Sequence, residues 1–143
     1  MALLDVNVLI ALAWPNHVHH DAAHTWFSRQ RSSGWATCSI TESGFVRISS
    51  NPAVVRQTVT PKEAVALLQN LKQQESHLFW PLEISMGEVP EDILERIQGY
   101  RQVTDAVLLA TAIQRRGQLA TLDSGLARLT TESSHESVCI IPV

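Results

Sequence analysis

The chain has 143 residues and a formal net charge of −3, from 11 Lys and Arg against 14 Asp and Glu. That length suits one domain with a hydrophobic core, spanning residues 1–143, and makes two domains unnecessary. No stretch approaches the roughly 18 to 20 uncharged apolar residues of a membrane helix, and the Lys and Arg excess that marks a simple DNA-binding module is missing.

Cys38 and Cys139 sit far apart in apolar segments without metal-ligand spacing, so both are expected to be buried free thiols. The N-terminal apolar run carries an acid within its first few residues and has neither a basic leader nor a small-residue cleavage site. A signal peptide is not expected, and a cytoplasmic location follows.

The first predicted strand covers residues 2–4, inside MALLDVNVLIALAW, where two polar residues, Asp5 and Asn7, interrupt an apolar run. Burying an unpaired carboxylate costs several kcal/mol, so Asp5 needs a partner or a task. Next comes WPNHVHHDAAHTWF, with His17, His19, His20 and His24. On a helix His20 and His24 share a face, the geometry of two zinc ligands, but a third ligand and a Glu base are lacking. A polar helix face is the plainer account. Trp14 and Trp26 suit core or dimer contacts, with stacking on unpaired RNA bases as the other use of such side chains.

A second strand is predicted over 35–38, and SITESGFVRI follows it with Ser39 and Glu42 in the S-x-x-E frame of a capping box. Residues 49–60 are polar and irregular and are expected to form a loop. TPKEAVALLQNLKQ is the clearest helix: Thr60 caps, Pro61 suits the first turn, Glu63 completes a capping box, and Ala64, Val65, Leu68 and Leu71 line one face. A third strand is expected over 77–80 and a short helix over 90–99. TDAVLLATAIQRRG is apolar nearly all round, basic in its last turn and stopped by Gly117, as for a helix buried in the core. Strands over 118–122 and 137–141 complete the pattern. Strands alternating with helices predict an α/β fold with a parallel sheet covered by helices.

Four acids stand beside apolar segments at predicted strand ends or helix starts: Asp5, Glu42, Asp105 and Asp123. In a parallel sheet such positions gather along the carboxyl edge, where ligands bind. Each acid also has an ordinary use at a helix start, as a cap or a first-turn charge. Four carboxylates in one crevice repel one another and either take up protons or bind cations. Oxygen-only ligands suit Mg²⁺ or Mn²⁺, and such ions lower the pKa of a bound water and stabilise the attacking and leaving oxygens of phosphodiester hydrolysis.

The order and context of LLDVNVLIAL, TESGFVRI, TDAVLLATA and LATLDSGL resemble the four acidic motifs of the PIN domain, in particular those of the VapC toxins of bacterial type II toxin–antitoxin pairs. The resemblance covers nearly the whole chain. It implies a three-layer α/β/α sandwich with a central parallel sheet, acting as a Mg²⁺- or Mn²⁺-dependent endoribonuclease on transfer, ribosomal or messenger RNA. It further implies a homodimer held inactive by a VapB-type antitoxin. Carried over by position, Asp5, Glu42, Asp105 and Asp123 match the acidic metal-site residues. Asn7 matches a position that orients the first acid or a bound water, and Thr121 a hydroxyl position before the last acid. Leu126 stands where the last motif often has Phe, a departure that touches packing. Arg47, Arg101 and Arg128 are expected at the solvated surface.

A haloacid-type phosphatase or a receiver domain also places Asp after the first strand. The first needs a second Asp where this chain has Asn7, and both need a late Lys, whereas Lys62 and Lys72 both fall in the capped helix. The remaining alternative is a catalytically inactive PIN-like module that binds RNA or a protein.

Overall fold

The strands are short, and the three central ones bury residues on both faces, which makes one sheet the middle layer of three. In the computed structural model, which describes residues 1–57 and 59–143, β1 (Ala2–Leu4), β2 (Trp35–Thr37), β3 (His77–Phe79), β4 (Gln118–Thr121) and β5 (Val138–Ile140) lie in the order β3-β2-β1-β4-β5. Every neighbouring pair is parallel. Ala2, Leu4, Trp35 and Ala120 pack with α1 (Val6–Ala13), α2 (His20–Gln30), α3 (Ser39–Ser49) and α4 (Pro61–Lys72). Leu3, Ala36 and Leu119 face the other way, onto α5 (Glu91–Leu94), α6 (Val103–Gln114) and a 3₁₀ segment at Ser124–Leu129. This is the expected α/β/α sandwich, and each expected strand is found with its ends shifted by no more than one residue. Among the described residues no helix is long and apolar enough to cross a membrane.

Local chemistry explains the helix starts. Thr60 Oγ1 accepts from the Glu63 N–H at 3.1 Å while Glu63 Oε2 accepts from the Thr60 N–H at 3.3 Å, so the expected capping box forms with Pro61 in the first turn. The box expected at Ser39 and Glu42 does not form. Helix α3 begins at Ser39 itself, so Cys38 is the cap and Thr41 the third residue, and Thr41 Oγ1 accepts from the Cys38 N–H at 3.0 Å. Glu42 thereby falls outside the box and is free to turn towards the sheet.

Two further expectations are corrected. The helix over 90–99 shrinks to Glu91–Leu94: the amides of Arg96 and Ile97 bond three residues back, and the Gln98 N–H is then taken by Gln102 Oε1 at 2.8 Å. Helix α6 does end before Gly117, but Arg116, with φ of 53°, takes the left-handed turn. Gly117 is required for space, because a Cβ there would stand 2.8 Å from Met1 O and from the Trp80 ring. The loop runs from the end of α3 to Thr60, and Thr58 within it lies outside the described residues. Cys38 is buried, while Cys139 is only half-buried because β5 forms a sheet edge.

Gly44 positions the crevice. A Cβ there would meet Val6 Cγ2 at 2.7 Å, so only a bare backbone lets α3 cross α1 directly behind Asp5.

Candidate active site

Asp5 ends β1 and begins α1. Its N–H extends the ladder to Ala120 O at 2.9 Å, and its Oδ1 caps the helix by accepting the Val6 N–H at 2.7 Å. Oδ2 accepts from Asn7 Nδ2 at 2.9 Å and from Thr121 Oγ1 at 2.7 Å. Asn7 uses the rest of its amide on the neighbouring strand exit: Nδ2 also donates to Thr121 Oγ1 at 3.0 Å, and Oδ1 accepts the Leu122 N–H at 3.1 Å. Since the single hydroxyl proton of Thr121 goes to Asp5, Thr121 Oγ1 meets Asn7 and the Asp123 N–H, 3.1 Å away, as an acceptor. Asn7 and Thr121 thus fix the Asp5 carboxylate and tie the exits of β1 and β4 together.

Asp123 follows β4 and caps the 3₁₀ segment, its Oδ1 accepting the Gly125 N–H at 2.7 Å. Asp105 lies in the first turn of α6. Burial raises Asp5 above its ordinary value, the bonds from Thr121, Val6 and Asn7 oppose that rise, and the charge of Asp123 adds to it. Asp105 is pushed up to about 6, first by burial and then by the negative charges of Asp5 and Asp123, with no hydrogen bond to offset them. The three aspartates therefore share one field.

Glu42 has partners of its own. Its Oε1 accepts from Lys72 Nζ at 2.7 Å and from Thr37 Oγ1 at 2.6 Å. Thr37 has one proton to give, so the contact at 2.8 Å with His77 Nε2 is a bond donated by the histidine. Burial and the Lys72 charge hold His77 below its ordinary pKa. Sequence reasoning pointed to none of Thr37, Lys72 and His77. Thr37 has the one available signal, since it ends β2 as Thr121 ends β4.

By donor chemistry the aspartates fit a hard divalent cation: they offer only oxygens, their charges repel, and Asp105 has no internal donor to satisfy it. Among the described residues no group of three or more His, Cys, Asp or Glu side chains is already drawn together as a metal cage. Holding such an ion would require these side chains to rotate onto it.

The histidine cluster has a structural use. His20 Nδ1 donates to Ala11 O at 2.7 Å and His24 Nε2 to Leu12 O at 3.0 Å, with ring centroids 4.3 Å apart. These rings close the last carbonyls of α1, and the geometry of a zinc pair is not needed to account for them. Trp14 Nε1 donates to Ser49 Oγ at 3.0 Å and joins His17 and Arg56 around a cavity of about 660 Å³ behind α1. Arg47, Arg101 and Arg128 are exposed.

The chain is similar to known proteins in sequence and in fold. The PIN domain family model matches residues 2–132. Ribonuclease VapC39 of Mycobacterium tuberculosis is 48% identical over 126 residues, covering 88% of this chain and 91% of that protein. Ribonuclease VapC38 of the same organism is 41% identical over 143 residues, covering 100% and 99%. Among solved structures, FitAcB from Neisseria gonorrhoeae superposes with a TM-score of 0.62 at 19% identity over 96% of both chains. A FitAB structure bound to an IR36 DNA fragment gives 0.62 at 17% identity, covering 98% of this chain and 94% of that one.

Proposed function

Because the chain belongs to the PIN-domain family, in its VapC branch, we propose that it is the toxin endoribonuclease of a VapBC-type pair and hydrolyses RNA phosphodiester bonds with Mg²⁺ or Mn²⁺. The observation that carries this reading is the trio Asp5, Asp105 and Asp123, three carboxylates in one field on the carboxyl edge, with Asp105 raised to about 6. No Lys or Arg makes an ion pair with any of them among the described residues. A divalent ion held there supplies the missing positive charge, lowers the pKa of a bound water and polarises the phosphoryl oxygens.

The rest falls to this chain's own side chains. Asp5 is held in one orientation by Val6, Asn7 and Thr121, so that one carboxylate of the trio is preorganised. Asp105 and Asp123 would complete the donor set around the ion. Glu42 is the fourth acid on this edge and stays with Lys72. The substrate class is transfer, ribosomal or messenger RNA, the chain acts as one unit over 1–143, and its setting is a cytoplasmic homodimer silenced by a VapB-type antitoxin.

The test is cleavage of total RNA by purified protein with Mg²⁺ or Mn²⁺, beside a chelator control and Asp5→Asn. Discrete fragments that vanish in both controls are expected. No cleavage by folded, metal-loaded protein contradicts the reading and leaves the non-catalytic RNA- or protein-binding module.

A further inference from the structure

The Glu42 end of the crevice is satisfied from within the chain. Lys72 is the last residue of α4, and its Nζ stands 2.7 Å from Glu42 Oε1 and 5.7 Å from the centroid of the Phe79 ring. Thr37 donates to the same carboxylate oxygen, and His77 donates to Thr37. The paired side chains are only 17% and 21% exposed, so this is not a freely solvated surface pair of the kind that contributes little. Lys62, the other lysine, is exposed at the far end of α4.

We propose that Lys72 is a built-in counter-cation that stands at Glu42 in place of a second divalent ion, so that the protein binds a single divalent ion, held by Asp5, Asp105 and Asp123. This rests on the metal-dependent reading above and specifies the stoichiometry of the same site.

The difference between the two ends is one of charge. Glu42 Oε1 receives an ammonium and a hydroxyl, so the negative charge of this carboxylate is balanced inside the protein, while Oε2 is the oxygen left open to an ion. An ion arriving at Oε2 meets the Lys72 ammonium on the same carboxylate, held there by the α4 backbone and the Phe79 ring, as a repelling positive charge. The partners of Asp5, by contrast, are neutral amide and hydroxyl groups, which orient the carboxylate and leave its charge unbalanced. One end repels a second cation and the other needs a first. Lys72 is on this account a positioning residue, acting through Glu42.

Mn²⁺ titrations of the purified full chain, followed by the electron paramagnetic resonance signal of free Mn²⁺, count the ions without reference to activity. Wild type is expected to bind one Mn²⁺ per chain, and Glu42→Gln to keep that number with its Kd within about threefold of wild type. Lys72→Met is expected to take up a second ion at the freed carboxylate, and the double variant Lys72→Met/Glu42→Gln to return to one. Two ions in wild type, a weakening of about tenfold or more in Glu42→Gln, or no second ion in folded Lys72→Met each overturns the inference while leaving metal dependence standing. If Lys72→Met does not fold, wild type and Glu42→Gln decide alone. A wild-type protein that binds no Mn²⁺ overturns both this inference and the reading beneath it.

Discussion

The two ends of the crevice are built from the same parts and finished differently. At each end a threonine closing a strand donates to an acid: Thr121 to Asp5 at one end, Thr37 to Glu42 at the other. At the Glu42 end a lysine from α4 completes the set and the charge is balanced. At the aspartate end the donors are neutral, and burial, joined by the charges of Asp5 and Asp123, pushes Asp105 up to about 6. A carboxylate paired inside the protein contributes to holding the fold together. Carboxylates left unbalanced on a sheet edge carry a standing cost that a cation from outside removes, and that cost marks the working end.

The contrast is broken most strongly by removing its central acid. Asp5→Asn keeps the shape and the cap to α1 but removes the charge on the one carboxylate held rigid from three sides. RNA cleavage is expected to fall by about 100-fold or more, as for loss of a preorganised charge-stabilising group, with a smaller change in melting temperature. Cleavage that survives would assign the activity to another site.

The two threonines sharpen it next. Thr121→Val deletes the hydroxyl that serves Asp5, Asn7 and Asp123, leaving buried partners unsatisfied, and is expected to cost about 1 to 3 kcal/mol in chemical denaturation and about 10- to 100-fold in cleavage. Thr37→Val is expected to show a similar stability loss with cleavage within about threefold of wild type, because its acid is already balanced. Equal losses of cleavage in both would erase the distinction between the ends.

Gly44→Ala shifts the ends relative to each other. The new methyl has to push α3 away from Val6, whose Cγ2 lies at 2.7 Å, so overpacking outweighs the gain in helix propensity and a net loss of about 1 to 2 kcal/mol is expected. An unchanged or raised melting temperature would show that the α1–α3 crossing is looser than the contact requires.

The smallest effect has the opposite sign. Asp105 is raised from 3.8 to about 6 in the folded chain, so folding holds its proton more tightly than the unfolded state does. In metal-free protein its favourable contribution is complete below about pH 4 and is lost as pH rises through about 6. Asp105→Asn removes that loss and is expected to stabilise the metal-free protein at neutral pH by about 1 kcal/mol, a value kept low because the group is partly exposed to water. It should also flatten the stability profile between those pH values. A destabilised variant with an unchanged profile would place the strain elsewhere.

The layered fold was legible because its signals are local. Strand residues alternate between two apolar faces, Thr60, Pro61 and Glu63 declare a helix start, and acids after strands 1 and 4 fall where a parallel sheet opens. The features that were not legible depend on register or on distance. The motif at Ser39 and Glu42 reads equally well as a capping box in a frame one residue away, and only the actual start of α3 at Ser39 frees Glu42. Lys72 looks like any last-turn lysine, and its pairing with a residue 30 positions earlier requires α3 and α4 to be packed first. His20 and His24 share a helix face as expected, but that face turns onto the open carbonyls of α1, which no spacing rule announces.

The most direct test of the aspartate end is a crystal soaked in Mn²⁺ near neutral pH and measured at a wavelength where manganese scatters anomalously. The account predicts one peak, about 2 to 2.5 Å from carboxylate oxygens of Asp5, Asp105 and Asp123, with Glu42 still on Lys72. A site without a peak in crystals that contain the ion elsewhere, or a peak held by Glu42 instead, would contradict it.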